Sequence, residues 1–249
     1  MQEQQPTGSS PSTMSKLMNI FASPSDAFEG ISSSPSKASS WLFPFLAAFA
    51  ISVFISYLLV SNEALRAQIV EQQTQAMQKS VESGRITQQQ ADASIEGMQN
   101  MGGGMFMAFG IVGSLVFLCA YYFGGALFLW LTGKFALKSS AGYGKYLEVY
   151  GMSAWVGVLG ALVTVLLIMG LSSLYASPSA ALAVLSEYSP TNDTHKFLSA
   201  VNIFSVWQAA VVGIGLSKLS GKSLVVSLGA SFGLWVVWVI VSVLLGIAR

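Results

Sequence analysis

Five long apolar blocks, separated by polar segments, dominate the hydropathy pattern of the chain. The blocks cover residues 41–60, 105–131, 149–176, 197–217 and 223–248. Each block has at least 20 residues, and a helix of about 20 residues spans the hydrocarbon core of a bilayer, about 30 Å. The pattern therefore predicts an all-α, polytopic membrane helix bundle with five transmembrane helices.

The distribution of charge supports this interpretation. Only 9% of the 249 residues are charged, against about 25% in a typical soluble domain. All 12 basic and 11 acidic residues lie outside the five blocks. This composition excludes a soluble enzyme and a disordered scaffold. A net charge of +1 provides no field that would attract nucleic acid, so no nucleic-acid partner is expected.

The polar segments divide the chain further. Residues 1–15 are polar without an apolar period, which predicts a disordered tail. Residues 16–40 predict short interfacial amphipathic helices, one of them begun by Pro24, with aromatics such as Phe28 at the depth of the lipid headgroups. Residues 41–249 then form the five-span domain.

A long polar insertion, residues 61–104, separates the first two blocks. It contains two apolar stripes at helical spacing, interrupted near Gly84. Thr87 and Gln90 have the Thr-x-x-Gln pattern of a capping box, and the second stripe, Ala91, Ile95 and Met98, follows it. We expect two antiparallel helices that form an extramembrane helical hairpin between spans 1 and 2.

Basic residues are distributed unevenly over the two sides of the predicted bundle. One side carries seven: Lys16, Lys37, Lys134, Lys138, Lys145, Lys218 and Lys222. The other carries five over a longer stretch of chain: Arg66, Lys79, Arg85, Lys196 and Arg249. Positively charged loops stay in the cytoplasm, so we expect a cytoplasmic N-terminus and a C-terminus on the opposite side.

The most informative polar group lies at the entrance to span 3. It consists of Tyr143, Lys145, Tyr146, Glu148 and Tyr150. Lys145 and Glu148 have the spacing of an ion pair on a helix, and tyrosines are typical of a membrane interface. We interpret the group as a structural anchor and a candidate interaction surface or polar mouth. The alternative is a small transporter or channel subunit in which Glu148 binds a cation or a proton.

Small and polar residues inside the spans predict contacts between helices. Glycine lets two helix backbones approach closely in lipid, which assigns a packing role to Gly157, Gly160, Gly229 and Gly233. Asn202 and Gln208 in span 4 are each expected to form a hydrogen bond with a neighbouring helix.

Reactive side chains lack the partners that catalysis or metal binding requires. Ser231 stands in a Gly-x-Ser-x-Gly pattern, but inside a predicted span, whereas the single histidine, His195, lies in a polar loop. An intramembrane serine hydrolase is therefore a third, less favoured interpretation. One cysteine, Cys119, and one histidine fall short of a metal site. We expect no catalytic residue, no metal and no cofactor.

Four stretches carry a resemblance to a known family. They are NIFASPSDAFEGI at 19–31, GKYLEVYGMSAW at 144–155, IFSVWQ at 203–208 and GIGL at 213–216. In this order, with five spans, the chain resembles the bacterial branch of the Yip family, five-span membrane proteins named for their interaction with Ypt/Rab GTPases. The resemblance covers roughly residues 17–247.

The resemblance implies a non-catalytic bundle in the cytoplasmic (inner) membrane, with a cytoplasmic N-terminus. Its expected partners are the lipid bilayer and other membrane proteins or further copies of the chain. The chain lacks the Asp-Leu-Tyr-Gly-Pro stretch that is typical of eukaryotic members, which argues against a Rab-type GTPase as partner. The expected function is a scaffold or interaction protein in membrane organisation or trafficking-like processes.

Overall fold

Uncharged apolar runs become long helices in the computed structural model, which describes residues 13–244. Five of these helices are long and apolar enough to cross a membrane. They are span 1, Ser39–Ser61; span 2, Gly103–Phe135; span 3, Tyr143–Leu171; span 4, Ile203–Ser220; and span 5, Leu224–Leu244. The predicted all-α architecture with five spans is confirmed.

Six shorter helical segments complete the described part of the chain. They are Thr13–Ala22, Pro24–Ala27, Glu63–Glu82, Gln88–Gln99, the 3₁₀ segment Ala180–Glu187 and Asp193–Ala200. The first of them begins at Thr13, so the last three residues of the predicted disordered tail are helical. The rest of that tail, residues 1–12, lies outside the described residues.

Two spans differ from the apolar blocks that predicted them. Span 3 begins at Tyr143 rather than at residue 149, and it ends where Ser172 adopts a left-handed backbone with a φ of 50°. The block 197–217 is broken after Ala200, and span 4 begins only at Ile203. Asn202 causes this start, because its side chain accepts a hydrogen bond from the Phe204 amide at 2.9 Å. The expectation that Asn202 bonds a neighbouring helix is therefore wrong.

Span 2 contains a π-helical turn, Ala120–Gly124, between the α-helical halves Gly103–Cys119 and Gly125–Phe135. The first half packs against span 1, and the second half packs against span 3. Span 4 in turn packs against spans 3 and 5. Span 2 thus contacts one neighbour before the π turn and a different neighbour after it. Single π turns inside α-helices are frequent at functional sites.

The N-terminal segment packs on the bundle through buried apolar side chains. Ile20, Phe28 and Ile31 are buried in the same core as residues of spans 3 and 4. Gly215 of span 4 makes room for this contact, since a Cβ there would lie 3.1 Å from the Phe28 ring. The Phe28 ring is enclosed by protein, and its position at the depth of the lipid headgroups stays a prediction.

The insertion between spans 1 and 2 contains the two expected helices, Glu63–Glu82 and Gln88–Gln99. The capping box is confirmed: Thr87 Oγ1 accepts from the Gln90 amide at 3.2 Å, and the Gln90 side chain accepts from the Thr87 amide at 2.9 Å. Gly84, with a φ of +70°, lies in the turn between the helices. The position of this hairpin outside the bilayer stays a prediction.

The first hairpin helix also contacts the segment that follows span 3. Gln68 forms two hydrogen bonds with its backbone, donating to the Ser172 carbonyl and accepting from the Leu174 amide, both at 3.0 Å. Lys79 donates to the Thr191 carbonyl at 3.1 Å. These polar contacts tie the hairpin to the connection between spans 3 and 4.

Candidate functional site

Glu148 is a buried carboxylate close to the start of span 3. Its side chain accepts a hydrogen bond from Lys145 Nζ at 3.0 Å and another from Ser40 Oγ of span 1 at 3.2 Å. Lys145 also donates to Ser34, at 3.3 Å. Glu148 is only 2% exposed, so the expected ion pair is present and lies inside the protein. A buried charge of this kind requires a partner and hydrogen bonds, and the pair thereby connects span 3 to the start of span 1.

The three tyrosines of the predicted mouth lie on another face of span 3, against span 2. The Tyr143 hydroxyl donates to the Phe123 carbonyl in the π turn at 3.0 Å. The Tyr146 ring packs on Gly133, and the Tyr150 ring packs on Gly125. The tyrosine rings occupy the space that a side chain at Gly125 or Gly133 would fill. The five predicted residues therefore form two packing faces rather than one opening.

A polar contact in the interior continues from the tyrosine face. Tyr121, in the π turn, donates a hydrogen bond to Gln208 Oε1 of span 4 at 3.1 Å. The rings of Tyr121 and Tyr150 are 5.5 Å apart. Gln208 is buried, and it bonds a neighbouring helix as its sequence position predicts. Spans 2, 3 and 4 thus meet around a small set of aromatic and amide groups.

The predicted packing glycines have two different environments. A Cβ at Gly157 would lie 3.0 Å from Gln208 Oε1, and one at Gly160 would lie 2.8 Å from the Phe204 side chain. Both glycines therefore line the contact between spans 3 and 4. Gly229 and Gly233 have no atom within 4 Å of the Cβ position. The expectation that these two pack against a helix is wrong within the chain, because this face of span 5 is open.

Ser231 and His195 both have structural partners. The Ser231 hydroxyl donates to the Ala209 carbonyl of span 4 at 2.6 Å and is buried between the two helices. His195 Nδ1 accepts a hydrogen bond from the Ser189 amide at 2.9 Å. In residues 13–244, no group of three or more His, Cys, Asp or Glu side chains is close enough to hold a metal ion.

A second ion pair lies near the start of the Asp193–Ala200 helix. Lys196 Nζ donates to the Asp193 carboxylate at 2.8 Å. This hydrogen bond and the charge of Lys196 lower the pKa of the Asp193 carboxyl below its usual value. Because the carboxyl is exposed to solvent, the pair contributes little to the stability of the fold.

Sequence reasoning missed the residues that complete these contacts. Ser40 reaches Glu148 across 108 positions of the chain, and no local pattern signals such a contact. Gly125 and Gly133 face the two tyrosines, and their spacing of eight places them on one helix face. Tyr146 and Tyr150 are also spaced to share a face of span 3. The two glycines on one helix and the two tyrosines on another are the one sequence signal that could have predicted the contact between spans 2 and 3.

Comparison with known proteins agrees with this architecture. The family model described as the Yip1 domain matches residues 18–248, which is nearly the whole chain. No curated protein and no solved structure matches the chain. The matched region includes the N-terminal helices from Met18 onward and all five spans. The chain belongs to the Yip1 domain family of membrane proteins.

Proposed function

We propose that the chain is a non-catalytic membrane scaffold. In this role the bundle supplies a fixed arrangement of helices, and its outward faces contact lipid, other membrane proteins or further copies of the chain. Membership of the Yip1 domain family agrees with such a role. A Rab-type GTPase is not proposed as the partner, because the stretch typical of eukaryotic members is missing.

The state of Glu148 is the observation that carries this proposal. Within the five described spans, Glu148 is the one carboxylate. Transport of cations or protons usually depends on ionisable groups in the membrane interior. Here the carboxylate is neutralised by Lys145 and hydrogen-bonded by Ser40, with 2% of its surface exposed. Its contacts are those of a group that joins two helices.

A flux assay with the full chain in liposomes tests the proposal. Wild-type protein and Glu148→Gln protein should both leave proton and potassium permeability at the level of protein-free liposomes. The matched control is Glu63→Gln, which changes an exposed acid of the hairpin. Flux through the wild type that Glu148→Gln abolishes and Glu63→Gln preserves would refute the scaffold and support the transporter alternative.

We also propose that the protein lies in the cytoplasmic membrane with its N-terminus in the cytoplasm and the hairpin on the opposite side. The uneven distribution of lysine and arginine supports this orientation. Single cysteines at Ser83 and Ser140, both exposed, test it in a Cys119→Ala background. An impermeant maleimide added to intact spheroplasts should label the Ser83 position alone. Labelling of both positions, or of the Ser140 position alone, would refute the orientation.

A further inference from the structure

Four lysines lie at one end of the bundle, where the chain enters span 1, leaves span 2, leaves span 4 and enters span 5. They are Lys37, Lys134, Lys138 and Lys222, and together they are called the lysine surface below. Since successive spans run in opposite directions, all of these helix ends lie on the same side of the membrane. All four side chains are exposed.

The lysine surface has no acidic partner among the described residues. Two described acids at this end of the bundle pair with other lysines: Glu148 pairs with Lys145, and Glu29 pairs with Lys218 at 2.8 Å. Asp26 accepts a hydrogen bond from Ser23 at 2.6 Å. Within residues 13–244, none of the four lysines of the lysine surface forms an ion pair.

Neighbouring aromatic rings indicate the depth of this surface. Lys134 Nζ lies 5.0 Å from the centre of the Trp130 ring, and the Trp130 ring contacts that of Tyr143 edge to face at 6.5 Å. Tryptophan and tyrosine are enriched at the level of the headgroups. The adjoining Phe135 is 62% exposed. These neighbours are the ones expected of an ammonium group at the level of the headgroup phosphates.

The backbone at Lys138 gives an independent observation. Lys138 has a φ of 56°, a left-handed conformation that a side chain disfavours and that glycine adopts without strain. It follows the end of span 2, a position where glycine commonly stands. The backbone conformation at position 138 therefore favours glycine, yet the residue present is a lysine.

We propose that the lysine surface binds the phosphodiester headgroups of anionic phospholipids. Charge complementarity is the basis of the choice: unpaired ammonium groups at headgroup depth meet fixed negative charges in the leaflet that contains such lipids. Binding of lipid to this surface would hold the ends of spans 2, 4 and 5 at a defined depth. The inference does not depend on whether the bundle is a scaffold or a transporter.

Native mass spectrometry of the full chain in neutral detergent tests this inference. Phosphatidylglycerol is titrated beside phosphatidylcholine with the same acyl chains. The wild type should bind phosphatidylglycerol more tightly, and each of Lys134→Gln, Lys138→Gln and Lys222→Gln should weaken that binding about fivefold. The matched control is Arg85→Gln, an exposed cation in the hairpin turn at the opposite end, which should leave it unchanged. Equal affinity for the two lipids, or an equal loss in the control, would overturn the proposal.

Two further variants at one position separate the charge from the backbone. Lys138→Gly should lose as much phosphatidylglycerol binding as Lys138→Gln, although it relieves the left-handed backbone and should raise the thermal midpoint in lipid-free detergent. Lys138→Arg should keep the binding. Retained binding in Lys138→Gly would contradict the inference. So would tighter binding of a polyglutamate peptide than of phosphatidylglycerol, which would assign the surface to an acidic protein.

Discussion

Replacing Gly151 by alanine should strongly weaken the contact between spans 1 and 3. A Cβ at this position would lie 2.5 Å from the Trp41 Cα and 3.2 Å from the Ser40 carbonyl oxygen. Carbon atoms in ordinary contact are about 3.5–4.0 Å apart. Because the obstacle is the backbone of span 1, no side-chain rotation can relieve the overlap, and the helix itself must retreat by about 1 Å.

The size of the effect follows from this geometry. An additional methyl group in a packed interior usually costs about 1–3 kcal/mol, and more where the neighbours cannot move. We expect a loss near the upper end, about 3 kcal/mol. The retreat would also lengthen the hydrogen bond from Ser40 to Glu148, which is already 3.2 Å. The loss should therefore not be recovered by small rearrangements.

Reversible unfolding in mixed micelles, followed by far-UV circular dichroism as the mole fraction of dodecyl sulfate rises, measures the change in free energy. Gly229→Ala is the matched control, because nothing lies within 4 Å of its added methyl group. Alanine in a helix is favoured over glycine by roughly 0.5–1 kcal/mol, so this variant should be as stable as the wild type or more so. A Gly151→Ala protein with wild-type stability would refute the reasoning. A loss in Gly229→Ala that grows with protein concentration would instead indicate a contact between copies.

Three further outcomes are expected. Lys145→Gln should cost about 3 kcal/mol in the same unfolding assay, because it leaves the Glu148 carboxylate buried without its counter-charge; adding Glu148→Gln should recover most of the loss, and no recovery would contradict a buried pair. Gln68→Ala should accelerate amide hydrogen exchange just after span 3 and lower the free energy of unfolding by about 1 kcal/mol. Unchanged exchange would refute the stabilising role of the two Gln68 hydrogen bonds. The Asp193 carboxyl should titrate by NMR below the usual value of about 3.9, and Lys196→Gln should raise its pKa; equal titration in both proteins would refute the pairing.

The sign of the pH effect at Asp193 follows from its lowered pKa. The folded state holds this proton less tightly than the unfolded state. The contribution of the carboxylate to stability is therefore present at neutral pH and is lost as the pH falls through the lowered pKa. Lys196→Gln should remove this acid-side dependence.

The spans were predictable because hydropathy and charge are properties of consecutive residues. The break before span 4 was not, since Val201 is apolar and Asn202 is uncharged, and the block therefore reads as continuous. Asn202 ends that continuity by bonding a backbone amide, which depends on backbone geometry and not on hydropathy. The burial of Phe28 was missed for a similar reason: an amphipathic segment can cover protein or lipid, and its own sequence does not distinguish them.

The candidate site shows the same limit. The Lys145–Glu148 pair depends on two residues in one turn of helix, and local spacing predicts it. The hydrogen bond from Ser40 depends on how spans 1 and 3 pack, which the sequence of either span does not specify. The glycines illustrate this most clearly, because Gly160 faces Phe204 while Gly229 faces outward, although both occupy long apolar helices.

The π turn of span 2 also determines the rotational phase of the helix. One residue of an α-helix corresponds to a rotation of about 100°, so the turn offsets the direction faced by Gly103–Cys119 from that faced by Gly125–Phe135. This offset presents the first half to span 1 and the second half to span 3. If the same residues formed a continuous α-helix, the second half would be rotated by about 100° and would face away from span 3. The π conformation of this turn therefore keeps both halves of span 2 directed at their neighbours.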